Sequence, residues 1–245
     1  MSRLYGNIIN ESEKLFLKKK TIFFFIITAI IPFLSAILLS KFQNSFGIAA
    51  ISPLGFMVTM LDLFTTLFLP LFIVMAAADE FSGEISDRTL KLTLLRPISR
   101  FKVYTSKIMS IGIYIIATLL IILISSTLSG LFLGNGSMVF QNIKITIAAF
   151  FPAMGIALLS VFIAQIFKNA SGAIITLIFV FIGLRILGFF IPIILRISLI
   201  SYLNWHVLWL GNVGIGRLSN IFVIILSYYI IFFAAGFGIF DNKDI

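Results

Sequence analysis

The chain has 245 residues, 60% of them hydrophobic and 11% charged, with 18 Lys and Arg against 9 Asp and Glu. A mean hydropathy of +1.17 excludes a soluble globule, because so much apolar surface cannot be hidden in one water-facing core. The absence of cysteine excludes disulfides, thiolate catalysis and Cys-ligated metals; the surplus basic residues flank apolar runs, which speaks for membrane orientation and against nucleic-acid binding.

A backbone crossing hydrocarbon must satisfy its own polar groups, so each crossing is a helix or part of a closed barrel, and uninterrupted apolar runs select helices. The sequence therefore predicts an all-α polytopic membrane protein, a single transmembrane domain over 1–245 with six spans at about 21–40, 56–78, 108–133, 145–167, 172–195 and 221–240. Before the first span, Leu4, Ile8 and Leu15 with Tyr5 and Phe16 recur at helical spacing while Glu11, Lys14 and Lys18 turn elsewhere, the pattern of an interfacial helix. The first apolar run is too long for a signal-peptide core and follows Glu11, Glu13 and Lys18 to Lys20, so it reads as a retained anchor. Placing both termini in the cytoplasm leaves Lys41, Lys144, Arg196 and Arg217 outside and Arg185 within a span; the other basic residues, Lys107 among them, fall inside, as the positive-inside rule requires. Prolines 32, 70, 152 and 192 fall within or at the ends of spans, where they kink or break helices unless neighbours satisfy the freed carbonyls.

The longest polar connection, 79–100, carries Asp79, Glu80, Glu84 and Asp87. Read as a helix, it puts Phe81, Ile85, Leu92 and Leu95 on one stripe and Glu80, Glu84, Asp87 and Lys91 on the next. The pairs Glu84–Arg88 and Asp87–Lys91 add roughly 0.2 to 0.5 kcal/mol each. Pro97 ends this helix and Ser99 starts the next. Lys168-Asn169-Ala170-Ser171 is a tight inner turn, and Gly134-Asn135-Gly136 an outer one. The connection 196–220 is too apolar for a solvated loop and reads as a re-entrant or interfacial segment, with Trp205, Trp209 and Tyr202 as anchors at headgroup level.

Asp62 and Arg185 are charges within spans, hence functional suspects. They form an ion pair if spans two and five pack together, line a substrate path, or do neither. His206 reads as an interfacial side chain rather than a metal or proton site, Asn142 and Gln165 as local hydrogen-bonding groups, and Gly112, Gly155, Gly172, Gly183 and Gly188 as packing positions. No catalytic constellation and no metal site stand out, and no Gly-x-x-x-x-Gly-Lys-Ser/Thr loop is present to cradle a nucleotide.

Glutamate at the end of span two, then Glu-x-x-x-x-Thr-Leu-Lys-Leu, then Arg-Pro-Ile-Ser-Arg before span three, resembles the type-2 ABC exporter permeases of the bacitracin, drug and peptide exporter kind. Glu80, Glu84, Thr89, Leu90, Leu92, Pro97, Ser99 and Arg100 match; the chain departs at Arg88, where the family often has glycine. The resemblance implies a coupling helix within 79–100, with Glu80, Glu84, Arg88, Thr89, Leu90, Leu92, Pro97 and Arg100 facing a groove in a partner. It implies an ABC ATPase dimer carrying ATP and Mg, no cofactor on this chain, a second permease subunit in a homo- or heterodimer, surrounding lipid, and a bacterial plasma membrane location. The expected function is export of an amphipathic antimicrobial peptide, drug or lipid; sodium or polysaccharide export by a similar permease, a membrane scaffold or sensor, and an intramembrane enzyme are the alternatives.

Overall fold

The structure is a computed structural model that describes residues 2–46, 53–87, 89, 98–133, 139–191, 198–211 and 213–243. The described residues form helices and connections with no strand. In chain order these are α1 (Ser2–Phe16), α2 (Lys19–Phe46), α3 (Pro53–Leu63), α4 (Leu69–Ala78), α5 (Glu84–Ser86), α6 (Arg100–Phe132), α7 (Val139–Ala164), α8 (Ala170–Phe190), a 3-10 segment (Leu199–Trp209) and α9 (Ile215–Asp241). Among the described residues, six helical stretches are long and apolar enough to cross a membrane: Lys19–Lys41, Gly55–Ser86, Arg100–Phe132, Val139–Ala164, Ala170–Gly188 and Ile215–Asp241. The chain is a multi-pass membrane protein.

Span two is built from α3, α4 and α5, joined by π turns at Phe64–Phe68 and Asp79–Gly83. The first turn has a local cause. Pro70 lacks an N–H and its ring would strike the carbonyl one turn back, so the helix opens just before it. The second carries the helix on past Ala78 as far as Ser86, so residues 79–86, expected to begin a separate amphipathic helix, instead extend span two. Ser82 Oγ secures this extension by donating to the Ala164 carbonyl at 2.7 Å.

The bundle has a centre and a periphery. In spans two, three and four, 61%, 56% and 61% of the apolar stretch is buried, against 17%, 11% and 17% in spans one, five and six. The central spans pack on one another and carry most of the core, including Leu61, Phe64, Ile73, Ile111, Ile115, Ile122, Ala149 and Ile156. The outer helices keep residues such as Phe23, Ile30, Leu34, Phe179 and Ile230 exposed, as suits helices that lipid solvates as well as protein does. The 3-10 segment packs against α7 and fills the end of the bundle away from α1. Trp205, expected as a headgroup anchor, is buried there, with its ring 6.0 Å from that of Phe151 and edge-on to it. Trp209 is half-buried under Lys144, whose Nζ lies 5.4 Å from its ring centroid. Gly134, Asn135, Gly136 and Pro192 lie outside the described residues.

Candidate functional site: a buried lysine among three glutamates

The densest concentration of charge lies where α1, the end of span two and the start of span three meet. The spacing of Glu80 and Glu84 puts both carboxylates on one face, and that face turns into the protein. Glu80 is fully buried and Glu84 is 3% exposed. Between them stands Lys107 of α6, also fully buried, with its Nζ 2.7 Å from Glu84 Oε2, 3.5 Å from Glu80 Oε2 and 2.9 Å from Glu11 Oε2. Lys107 donates a hydrogen bond to Glu11, and Lys18 donates one to Glu80 Oε1 at 3.2 Å. Lys14 pairs with Glu84 and stands 3.6 Å from Glu11. Lys20 extends the array to Asp79 at 3.3 Å.

Among the described residues the three glutamates thus meet three lysines, the buried Lys107 and the partly exposed Lys14 and Lys18, and the charges of the cluster balance. Neutrality is what makes it tolerable, since an uncompensated ion here would carry several kcal/mol of desolvation. Carboxylate oxygens of Glu11, Glu80 and Glu84 lie within 4.8 Å of one another, a donor set that could hold a metal ion. The Lys107 ammonium occupies that position, so the protein supplies its own cation. Burial pushes the Glu11 carboxyl up, but the charge and hydrogen bond of Lys107, with the charge of Lys14, outweigh it and hold the group below its ordinary 4.5.

The elements reach this point for local reasons. Asn7, Glu11 and Leu15 form the buried stripe of α1 at i, i+4 and i+8. Leu15 packs with Phe72, Ala76 and Tyr114, and Asn7 donates to Ser106 Oγ at 2.9 Å. Of the expected apolar face of α1, Leu15 is buried and Tyr5 is 69% exposed, while Glu11, expected to turn elsewhere, points into the bundle. Ser99 occupies the N-cap position of α6, with its carbonyl accepting from Lys102 at 3.0 Å and its hydroxyl making no cap bond. Phe81, from the predicted apolar stripe, is buried against Tyr104 and Phe240.

Of the residues assigned to ATPase contact, Glu80 and Glu84 therefore face inward and engage lysines of α1 and α6. Glu84 engages Lys14 and Lys107; Arg88, its expected i,i+4 partner, is not among the described residues. Thr89 is exposed, its hydroxyl 3.5 Å from the Glu84 carbonyl. Arg100 donates to the carbonyls of Asp241 and Lys243, where a cation complements the C-terminal end of α9. Arg88, Leu90, Leu92 and Pro97 lie outside the described residues.

The intramembrane charges are also placed. Spans two and five do pack, but Asp62 and Arg185 make no ion pair with each other among the described residues. Asp62 Oδ1 faces His206 Nε2 at 4.0 Å, and the Arg185 guanidinium lies 5.7 Å from the Phe181 ring centroid. Asn142 reaches across to Thr127 Oγ1 at 3.4 Å, while Gln165 bonds locally to the Val161 carbonyl. Sequence reasoning counted Lys107 as a flanking charge and His206 as an interfacial side chain, and missed the partners each has in the structure. Lys107 had one available signal, in that it sits in register with a long apolar helix and not in a loop.

A model of the ABC-2 family transporter proteins matches residues 8–186. The chain belongs to the ABC-2 transporter family. It is also similar to an uncharacterized Bacillus subtilis protein, YhcI, with 26% identity over 209 residues, or 74% of this chain and 66% of that protein, just under two thirds of the relative's length. The part matched to ABC-2 transporters runs from α1 into α8, and so includes the whole cluster of Glu11, Lys14, Lys18, Glu80, Glu84 and Lys107 together with Asp62, but not His206.

Proposed function

We propose that this ABC-2 protein is the permease subunit of an ATP-driven exporter in a bacterial plasma membrane, with both termini cytoplasmic and with ATP and Mg bound by separate ATPase subunits. Two permease subunits pair around the pathway, and closure of the ATPases pushes on the connection that holds Leu90 and Leu92. The observation that carries this reading is the buried Lys107 cluster. It fastens the end of span two, immediately before that connection, to α1 and span three, so a push there moves three elements together. Cost favours the same view, since breaking a dry ion cluster by removing one partner takes about 3 to 5 kcal/mol.

An amphipathic cargo fits the groove between α4 and α8. It has a volume of about 310 Å³, walls of Leu67, Pro70, Leu71, Val74, Ile178 and Ile182, and a single cation, Arg185. An apolar body with one anionic group matches that lining. A peptide, drug or lipid-like molecule of this kind is the proposed substrate class.

The test is purification of the chain from its native membrane in mild detergent, with identification of the proteins retained. A stoichiometric P-loop ATPase should co-purify and should be lost when Leu90 and Leu92 are replaced by aspartate. Glu84 is the wrong residue to change for this purpose, because its loss would disturb Lys107. Recovery of the folded chain without any ATPase, or retention of the ATPase by the Leu90/Leu92 variant, would overturn the reading.

A further inference from the structure

Asp62 Oδ1 and His206 Nε2 face each other at 4.0 Å, and both atoms are buried with no hydrogen-bond partner. The other ring nitrogen decides what this means. Nδ1 lies 3.2 Å from the Leu203 carbonyl oxygen, which can only accept, so Nδ1 carries a proton. A neutral ring would then turn the lone pair of Nε2 toward a carboxylate oxygen. One added proton between Nε2 and Oδ1 removes this clash, and with it on Nε2 the imidazolium donates to the carboxylate and to the Leu203 carbonyl at once.

The setting is built for a contact between two elements. Asp62 lies just before the π turn at Phe64–Phe68, a local widening of the kind that often marks functional positions. Thr66, within that turn, donates to Asn204 Oδ1 at 2.9 Å, a second tie from span two to the 3-10 segment. The other charged and titratable groups around the segment have different neighbours. Lys144 of α7 stands over Trp209, Arg185 of α8 over Phe181, and the Tyr229 hydroxyl of α9 donates to the Phe151 carbonyl. Asp62 is the charge that span two turns toward the ring.

We propose that Asp62 and His206 form a proton-binding site in which one proton, taken up between Oδ1 and Nε2, latches the 3-10 segment onto span two. The ligand is the proton itself. Its uptake makes Nε2 a donor and converts facing lone pairs into a charge-assisted hydrogen bond; its release leaves the Thr66–Asn204 hydrogen bond as the other described polar tie from span two to the segment. The 3-10 segment closes one end of the bundle, so occupancy of the site sets how firmly that end is held.

Because the chain has one histidine, ¹⁵N-histidine labelling of the full-length protein, purified through a tag without histidine, reports this ring alone. The neutral form should carry its proton on Nδ1, and acidification should add one on Nε2. The titration midpoint should lie about one to three pH units above that of Asp62→Asn, the range for loss of an opposite charge at this distance. Equal midpoints in the two proteins, or a neutral ring protonated on Nε2, would overturn the proposal. So would a ring that responds to added Zn²⁺ and gains no Nε2 proton in acid, which would make the site a metal site instead. Should Asp62→Asn not fold, the tautomer and the Nε2 proton in the native chain decide the question alone.

Discussion

Replacing Lys107 by methionine removes the central cation of the buried cluster while keeping the length of its apolar stem. Glu11, Glu80 and Glu84 then face only Lys14 and Lys18, so one negative charge is left without compensation. At an effective dielectric of about 20, each contact near 3 Å is worth roughly 5 kcal/mol before the desolvation of both ions is subtracted. The net loss on removing one partner of such a buried group is about 3 to 5 kcal/mol. For a chain of this length, at about 2 to 4 °C per kcal/mol, the melting temperature should fall by about 6 to 20 °C. The assay is the monodisperse fraction remaining after heating in detergent. The decisive comparison is the double variant Lys107→Met with Glu84→Gln, which restores neutrality and should recover at least half of the loss; a double-mutant cycle isolates the coupling. A Lys107→Met protein that melts within about 2 °C of the native chain, or a double variant no better than the single, would refute the view that charge balance holds these three elements together.

The folded Glu11 carboxyl lies below its unfolded value of 4.5, so its contribution to stability is present above that pH and is lost as pH falls through the lower folded value. The melting temperature should therefore fall on the acid side of about pH 4.5, and by less in Glu11→Gln; superimposable acid limbs would count against the assignment. A Cβ on Gly155 would meet Leu199 side-chain carbons at 2.9 and 3.0 Å. Gly155→Val should then cost about 1 to 3 kcal/mol by overpacking, measured by thermal stability, with Leu199→Ala on the same background recovering most of it. Exchanging the charges of Asp62 and Arg185 should give a protein no more stable than either single variant, because neither side chain contacts the other; rescue by the exchange would show that they pair.

The topology was legible in the sequence because lipid imposes it. Apolar runs of about twenty residues, long enough to cross the hydrocarbon core, have one solution, and six apolar helices among the described residues overlap the six expected runs, with individual ends displaced by as much as eight residues. Glu80 and Glu84 were also legible as a pair, since a spacing of four puts them on one helical face whatever lies opposite. The direction of that face was not. The apolar stripe was expected to be buried and Phe81 is, but Glu80 and Glu84 of the polar stripe are buried as well, because Lys107, Lys14 and Lys18, distant in sequence, arrive there to neutralise them. Hydropathy counted Lys107 as a flanking charge, for it scores a residue by type and cannot record that three carboxylates surround it. His206 escaped in the same way, because its partner is 144 positions earlier in a different span. What the sequence determined by itself is what each residue does in its own helix: which runs span, where proline opens the backbone, which charges share a face. Which charges meet was decided only by the packing, because a buried ion is stable or ruinous according to neighbours that no local pattern names.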